Sequence, residues 1–586
     1  MYRLLLAIAA MLATASPAGA QTAPAAPSVK VPGEQPSTNA MVNLIRLLVK
    51  QGTITRENGE ALLREAEAEA GQARAVQDEL APAAPGTVPV PYVPEVVRNQ
   101  IRDEIKGEIL KQAQAEGWAA PGQKAPSWVE NFHPNADFRM RGEGDFFSKD
   151  NANDIIDYAA INDTSGGFDF FNDINNVPII NTREDRQRLK FRARLGFEYD
   201  VDPHAMIGIR LATGDDTSPI STNQGLGGGL GKRNIWLDQA YLKLTPRKWA
   251  TALVGRFPNP FLSTELVYDP DVNFDGALVD LHPLDREGTS VTLRGGAFPL
   301  DFGSADFPTT SISKRSYRSK WLFGGQVEGS QKFGDVKLTA AAAYYDFQNV
   351  QGQLSAPCLF NGQTVGIGTN DPVECSTDGT RAFSLQKGNT LFFIRNMVVP
   401  APDTLPASNS QFLGLTYKFR LLDLNASVDF TVAGLPVRFY GDYVRNLAFS
   451  RRDECRYGAG PNGIPVTNVV AVNGSENPCS TVSPAKVDSG NEGFLAALLI
   501  GHDSPRKFGE WSALAEYRYV ETDAVLDSLT HSDFHLGGTN AKGYRIGGTL
   551  GLGHGLNITV MWMSSDEITG PPLAIDVFQL DVNGEF

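Results

Sequence analysis

Long apolar runs are scarce in this chain of 586 residues. A helix that spans a bilayer needs roughly 20 consecutive apolar residues. After the first 20 residues, the uncharged apolar runs are far shorter than this, and Phe494–Gly501 is an example. If the protein is in a membrane, it must therefore cross it as strands.

The sequence also lacks the common signatures of catalysis and of nucleic-acid binding. It contains no G-x-S-x-G element, and Gly227–Lys232 lacks the spacing of a phosphate-binding loop. His531 and His535 form an isolated pair four positions apart, which is too few ligands for a metal site. The net charge of −15 is the wrong sign for a phosphate-binding surface. We expect no enzyme activity, no cofactor, no metal and no nucleic-acid partner.

Cysteine is rare, and its four positions fall in two polar segments rich in Gly, Asn, Pro and Ser. In an oxidising compartment, local pairing is favoured over the two other connectivities. A zinc site is disfavoured because C-x-x-C spacing and neighbouring histidines are absent. The predicted disulfides, each closing a surface loop, are Cys358–Cys375 and Cys455–Cys479.

The N-terminus has the pattern of a secretory signal. Residues 1–20 contain an early Arg3, an apolar stretch from Leu4 to Leu12 and the small-residue sequence Ala18-Gly19-Ala20. The apolar stretch is too short to cross a bilayer as a helix. We expect residues 1–20 to be removed and the mature chain to be exported.

Residues 21–130 are predicted to form a periplasmic linker and helical region. Pro/Ala-rich segments flank a helical hairpin at Met41–Lys50 and Glu57–Ala70. A further helix is predicted at Pro94–Glu116, with an apolar stripe that needs a partner. Three copies of the chain packing together satisfy the stripe, and so does packing on the hairpin or on the rim of a barrel. The sequence leaves these alternatives open.

From about Asn135 the hydrophobic period changes to two, as expected of strands. Sixteen such runs can be counted, although the run at 411–431 reads as either one strand or two. Short turns alternate with long polar loops at 148–184, 348–410 and 447–492. This pattern predicts an all-β transmembrane antiparallel β-barrel of about 16 strands over residues 131–586.

The C-terminus supports a barrel. Phe578, Leu580 and Val582 occupy the same strand face as the terminal Phe586. A strand with one apolar face at the end of an exported chain is typical of the last strand of an outer-membrane barrel. We expect Phe586 to be part of the signal for the outer-membrane barrel assembly machinery.

One predicted strand carries a row of cations alternating with apolar residues. A cation on the lipid face costs roughly 2–4 kcal/mol at the bilayer midplane, so the row is predicted to face the lumen. A solvated face of a soluble sheet is the alternative, but it leaves like charges in a row without counter-charges. The predicted pore-lining residues, including two from the preceding strand, are Arg139, Arg141, Arg186, Arg188, Lys190, Arg192 and Arg194.

The third outer loop, Phe257–Asp275, is acidic and contains aromatic residues. Folded into the lumen, it would narrow the pore and create a transverse field opposite the basic row. Alternatively, its acids cap an exposed loop or bind a cation. Which sign of charge dominates is left open. The predicted constriction residues are Glu265, Asp269, Asp271 and Asp275.

Several segments resemble the putative porin family of proteobacterial outer membranes. They are LATGDDTSPISTNQ (211–224), IWLDQAYL (235–242), GRFPNPF (255–261) and DVNFDG (271–276). Together with N-terminal segments, the resemblance covers most of the mature chain. It implies a signal-bearing barrel that forms a homotrimer in the outer-membrane lipid of a Gram-negative cell and acts as a diffusion channel for small hydrophilic solutes and ions. It brings no list of binding residues.

A structural role is the alternative function. The N-terminal helices would then tether the barrel to the cell wall or to a periplasmic partner. This role is compatible with a pore, and the sequence does not decide between the two.

Overall fold

The computed structural model describes residues 127–164, 166–215, 218–302, 318–358, 375, 377–397, 409–460 and 462–586. The chain divides into two units, Met1–Pro126 and Ser127–Phe586. The predicted signal peptide, linkers and N-terminal helices therefore lie outside the described residues. No described helix is long and apolar enough to cross a membrane.

Sixteen long antiparallel strands form one closed sheet, which confirms the predicted barrel and its strand number. A two-residue strand, Gln224–Gly225, also joins this sheet beside the second long strand. The last long strand pairs with the first, from Asp137 opposite Glu585 to Phe147 opposite Ile575, so the sheet closes. The long strands are β1 (Phe132–Phe147), β2 (Arg186–Asp202), β3 (Ala205–Ala212), β4 (Trp236–Arg247), β5 (Ala250–Pro258), β6 (Asn273–Arg286), β7 (Thr289–Asp301), β8 (Lys320–Phe333), β9 (Val336–Gln348), β10 (Phe419–Val432), β11 (Leu435–Asn446), β12 (Glu492–Gly501), β13 (Trp511–Val520), β14 (Ala541–Gly553), β15 (Leu556–Glu567) and β16 (Ala574–Glu585).

The two faces of the sheet have opposite character, as period-two alternation requires. In β16, the polar side chains of Gln579 and Asp581 are buried, whereas the apolar Leu580 and Val582 are exposed. This is the reverse of a soluble protein, which buries its large apolar side chains. An apolar outer face and a polar interior are expected of a barrel in lipid.

The connections differ in length between the two ends of the barrel. Tight turns such as those at Gly434 (φ 83°) and Gly555 (φ 78°) join strands at one end, and both positions adopt the left-handed conformation that glycine accepts without strain. Long segments such as 349–418 and 447–491 join strands at the other end. This agrees with the predicted alternation of short turns and long loops.

The run at 411–431 contains two strands, which is one of the two alternatives that the sequence left open. The barrel strand begins at Phe419, and Leu413–Leu415 pairs instead with Leu391–Phe393 in a separate two-stranded sheet. Both leucines of this segment are buried within the long connections. Its composition suits a buried strand in either place, so the local pattern could not tell them apart.

The long connections are packed and cross-linked. Disulfides join Cys358 to Cys375 and Cys455 to Cys479, which confirms the predicted local pairing. The buried Arg395 donates hydrogen bonds from its guanidinium to both carboxylate oxygens of Asp378, at 2.8 and 2.7 Å. The long connections therefore pack against one another and form their own core at one end of the barrel.

Candidate functional site

The basic row of β2 is matched by acids on β1. Glu143 lies directly opposite Arg188, and Asp137 lies opposite Arg194. Arg188 Nη2 donates to Glu143 Oε1 at 2.7 Å, and Arg194 Nε donates to Asp137 Oδ2 at 2.5 Å. Cross-strand ion pairs thus supply the counter-charges that a row of cations requires.

The remaining cations of the row are paired in the same way. Arg186 lies 3.2 Å from Asp145, Lys190 lies 2.7 Å from Glu143, and Arg192 Nε donates to Asp137 at 2.9 Å. These acids alternate through β1 on one face of the sheet. The sequence predictions include only the basic residues of β1, although the same alternation places these acids on that face.

Arg139 and Arg141 of β1 have different surroundings. Arg141 is buried and pairs with Asp581 of β16 at 2.7 Å and with Asp533. Arg139 donates to the amide oxygen of Asn223 at 2.5 Å, and within the described parts of the chain it makes no salt bridge. Its positive charge is therefore less compensated than the others.

The third loop, residues 259–272, joins β5 to β6 and reaches strands on far sides of the barrel. Asp271 Oδ1 accepts a hydrogen bond from Arg194 of β2 at 3.1 Å and lies 3.7 Å from Arg192. Thr264 Oγ1 donates to Asp442 of β11 at 2.5 Å. A loop that contacts both walls must cross the barrel interior. Burial alone would raise the pKa of Asp271, but the two arginines outweigh it and lower this pKa below its usual value.

Glu265 lies in a group of cations on the other side of the loop. Its Oε2 is 2.5 Å from Arg545, 3.1 Å from His531 and 3.4 Å from Arg518. Both arginines also bind Glu516, at 2.7 and 3.0 Å. Burial acts to raise the pKa of Glu265, but Arg545, His531 and Arg518 hold this pKa well below its usual value. Glu265 is therefore ionised.

A second segment, residues 521–540 between β13 and β14, packs against the third loop. Asp269 N donates to Leu529 O at 2.8 Å, and Ser532 N donates to Asp269 Oδ2 at 2.9 Å. Thr530 Oγ1 donates to Leu266 O at 2.9 Å. The third loop and the 521–540 segment are therefore hydrogen-bonded to each other at these three places.

The predictions from the sequence do not include the 521–540 segment. Four of its apolar residues are buried. A loop with this many large apolar side chains needs a core to pack against, and that signal was available. The buried apolar residues are Val525, Leu526, Leu529 and Phe534.

Two of the predicted constriction acids differ from the others. Asp269 is 4% exposed, and burial raises its pKa to about 7. Asp275 lies in β6 and not in the loop; its half-exposed carboxylate pairs with Arg256 at 3.1 Å. Asp275 therefore stands apart from the contacts that Glu265, Asp269 and Asp271 make.

Cavities lie in series around these two segments. The first, of about 350 Å³, is lined by Arg186, Arg188, Lys190, Lys387, Glu143, Asp145 and Asp533, among others. The second, of about 150 Å³, is lined by Arg139, Arg192, Glu265, Asp271 and Asp533, among others. The third, of about 500 Å³, shares Glu265 and Arg545 with the second and extends to Lys337, Asp429 and Arg438. The smallest compartment is where the two segments meet the wall, which makes it the candidate constriction.

The two histidines considered as a metal pair have separate partners. His531 lies 3.1 Å from Glu265, and His535 Nε2 lies 2.6 Å from Glu567. Among the residues that the structure describes, no group of three or more His, Cys, Asp and Glu is placed to hold a metal.

Comparison with sequence models of protein families gives a match over most of the chain. The sequence model of the putative porin family matches residues 38–586. No curated protein sequence matches the chain.

Several solved structures are similar at low identity. OprB of Pseudomonas putida has 11% identity and a TM-score of 0.39, over 78% of this chain and 95% of that chain. OmpF of Salmonella typhi, in complex with daunomycin, has 10% identity and a TM-score of 0.36, over 78% and 99%. The outer membrane channel DcaP of Acinetobacter baumannii has 12% identity and a TM-score of 0.33, over 80% and 100%.

The TM-scores of these structures are too low to support a conclusion about this chain. Its family is therefore assigned from the match to the sequence model alone. That match includes every strand of the barrel and most of the residues outside it. The four segments between residues 211 and 276 that resemble the family all lie within the match. The chain belongs to the putative porin family.

Proposed function

We propose that this porin is a narrow, charge-lined diffusion channel for small hydrophilic solutes and ions. Barrels of 16 to 18 strands are wide enough to leave an aqueous channel. Here the third loop and the 521–540 segment occupy the middle of that space. Solutes would therefore pass through a constriction much narrower than the barrel itself.

The main support for this function is that acids of the third loop pair with arginines of the barrel wall at the proposed constriction. Asp271 lies beside Arg192 and Arg194 on one wall, and Glu265 lies beside Arg518 and Arg545 on another. Such pairs fix charges of both signs around a small polar passage. The resulting transverse field favours solutes that can align a dipole with it.

Fixed charges also make the channel selective without a deep binding site. The acids and bases at the constriction largely compensate one another, so weak attraction rather than tight binding is expected. Arg139 is the exception, because its guanidinium has an amide partner instead of a carboxylate. We propose that Arg139 gives the constriction a local preference for anions.

The family and the barrel fold also support a location in the outer membrane. The apolar outer face would contact outer-membrane lipid, with the tight turns and the N-terminal region in the periplasm. We propose a homotrimer, inserted by the barrel assembly machinery that reads the C-terminal strand with Phe586. The tethering role stays a prediction, because its helices lie outside the described residues.

Liposome swelling tests this function directly. The mature protein is reconstituted, and the entry rates of a neutral sugar, a zwitterionic amino acid of similar size and a larger trisaccharide are compared. We expect the amino acid to enter fastest and the trisaccharide to be excluded. Equal rates for all three solutes would contradict a narrow, charged constriction, and no swelling with a folded barrel would contradict the channel itself.

A further inference from the structure

Behind the third loop lie four buried oxygen atoms that have no hydrogen-bond partner as long as the two carboxyl groups among them are ionised. They come from the loop and from three neighbouring strands, and each parent residue is at most 4% exposed. We call this group the oxygen cluster. Its members are the hydroxyls of Tyr268 and Tyr345, Oδ2 of Asp423 and Oδ1 of Asp442.

The strand register brings the wall members of the cluster together. Asp442 of β11 lies opposite Asn425 of β10, so Asp423, two residues earlier on β10, faces the same side. Tyr345 of β9 lies opposite Leu421, also two residues from Asp423 and on the same side. These side chains are therefore diagonal neighbours on the inner face of the sheet.

The loop supplies the remaining member. The rings of Tyr268 and Tyr345 meet edge to face, with centroids 5.2 Å apart. Burial raises the pKa of Tyr268 well above its usual value, and the Asp423 carboxylate adds to this effect. Thr264, four residues earlier in the loop, donates to the other oxygen of Asp442.

The two carboxylates are not neutralised by protein cations. Asp423 accepts a hydrogen bond from the amide of Asn425 at 3.1 Å, and neither Asp423 nor Asp442 forms a salt bridge within the described residues. Arg518 acts electrostatically on Asp442, but its guanidinium already binds Glu265 and Glu516. Asp423 and Asp442 are within hydrogen-bonding reach of each other, so without a cation the two facing carboxyl groups share a proton. A divalent cation would take the place of that proton.

We propose that the oxygen cluster binds one divalent cation of the calcium class. Ca²⁺ prefers oxygen ligands from carboxylates, uncharged side chains and water in irregular geometry. Two carboxylates balance its charge, and the hydroxyls and water complete the ligand set. The cation would join the third loop to strands β9, β10 and β11, holding the loop against the wall. This site is independent of whether solutes pass through the barrel.

The cavity of about 500 Å³ offers a route for an ion to the cluster. Thr264, Asn425 and Gly441, which adjoin the cluster in sequence or register, line the cavity of about 500 Å³. A hydrated ion would reach the cluster from this cavity, which the carboxylates of Glu265, Glu328 and Asp429 also line. The site is thus enclosed by the loop but adjacent to solvent.

Calorimetry on the full-length mature protein in detergent, stripped with a chelator and titrated with Ca²⁺, tests the proposal. We expect one site that weakens about tenfold or more in Asp423→Asn and in Asp442→Asn, since losing even a group behind a metal ligand costs roughly 10- to 100-fold in affinity. The matched control is Asp429→Asn, also on β10, whose carboxylate pairs with Arg438. Its affinity for Ca²⁺ should equal that of the unaltered protein.

A second measurement covers variants that fail to fold. Tb³⁺ replaces Ca²⁺ at oxygen sites and emits when a nearby tyrosine is excited, so the unaltered protein should show emission that Ca²⁺ displaces at one ion per chain. Tyr345→Phe should reduce this emission. The absence of saturable Ca²⁺ binding in the unaltered protein, or equal affinity in folded Asp423→Asn, would overturn the proposal and leave a shared proton or a bridging water between the carboxylates.

Discussion

Glu265 and Arg545 lie 2.5 Å apart, carboxylate oxygen to guanidinium nitrogen, although 280 positions separate them in the chain. The contact joins the third loop to β14, and Glu516 holds the other side of the same guanidinium at 2.7 Å. An ion pair with a second carboxylate behind it keeps the arginine in one orientation. In the proposed constriction, these contacts hold the charges in a fixed arrangement.

Replacing Glu265 by Gln should shift ion selectivity toward anions. The change removes one negative charge and leaves Arg518, Arg545 and His531 with less compensation. Reversal potentials in a planar bilayer under a salt gradient measure the shift. Asp275→Asn is the matched control, because Asp275 pairs with Arg256 outside the loop and should give a smaller change. Equal shifts for both variants would show that position in the loop is irrelevant.

Removing basic residues should act in the opposite direction. Replacing Arg188, Lys190 and Arg192 together by Gln is expected to shift selectivity toward cations, since these side chains line the interior cavities. The single change Arg139→Gln should have a larger effect than Arg188→Gln, because Arg188 is compensated by Glu143 and Asp145. An unchanged reversal potential in the triple variant would mean that this row does not face the conducting path.

Selectivity should depend on pH around neutrality. Burial raises the pKa of Asp269 to about 7, against an ordinary value near 3.8, so its carboxyl group is neutral below pH 7 and charged above. Cation preference should therefore increase as the pH rises through about 7, and Asp269→Asn should reduce this increase. Burial also raises the pKa values of Asp523 and Asp527 to about 7, and they account for the dependence that remains.

The same shift has a consequence for stability. A carboxyl group whose pKa is raised by folding stabilises the folded state fully at pH values below its ordinary pKa. That contribution is lost as the pH rises through about 7. The contacts of Asp269 with the 521–540 segment should therefore loosen at higher pH in the unaltered protein. Hydrogen exchange of the amide of Ser532, which donates to Asp269, should become faster than in Asp269→Asn.

The disulfides should stabilise the long connections and not the barrel. Cys358–Cys375 closes a stretch of 17 residues and Cys455–Cys479 one of 24, and each bridge is worth about 3 kcal/mol in a chain-entropy account. Replacing Cys455 and Cys479 by Ser should accelerate proteolysis within residues 447–491. On gels of unheated samples, the variant should still migrate at the position of the folded barrel. Loss of that band would show that the Cys455–Cys479 bridge also stabilises the barrel itself.

The barrel was predictable because lipid on one side imposes a strict pattern. Leu189 and Leu195 in β2 and Leu580 and Val582 in β16 are exposed, and each alternates with polar neighbours that face inward. The pattern depends only on neighbours along the chain, so it can be read locally. The same is true of the short turns and of the disulfides, whose partners are close in sequence.

The constriction was only partly predictable, because its contacts join distant parts of the chain. The inward cations and the acidic third loop follow from the sequence, but the partners Asp533, Arg518 and Arg545 come from strands and a segment hundreds of residues away. The apolar residues of the 521–540 segment indicate that it packs against a core, but nothing in the local pattern identifies the third loop as its partner. The acids of β1 could be predicted from the sequence, because the alternation of faces along β1 alone places them beside the basic row.

Single-channel recording of the purified mature protein in a planar bilayer tests the central claim most directly. The account predicts stable, stepwise openings of small conductance, because two segments narrow the barrel, and a reversal potential that Glu265→Gln moves toward anions. A folded barrel that stays silent, or one whose large conductance is unaffected by changes at Glu265 and Arg139, would contradict it.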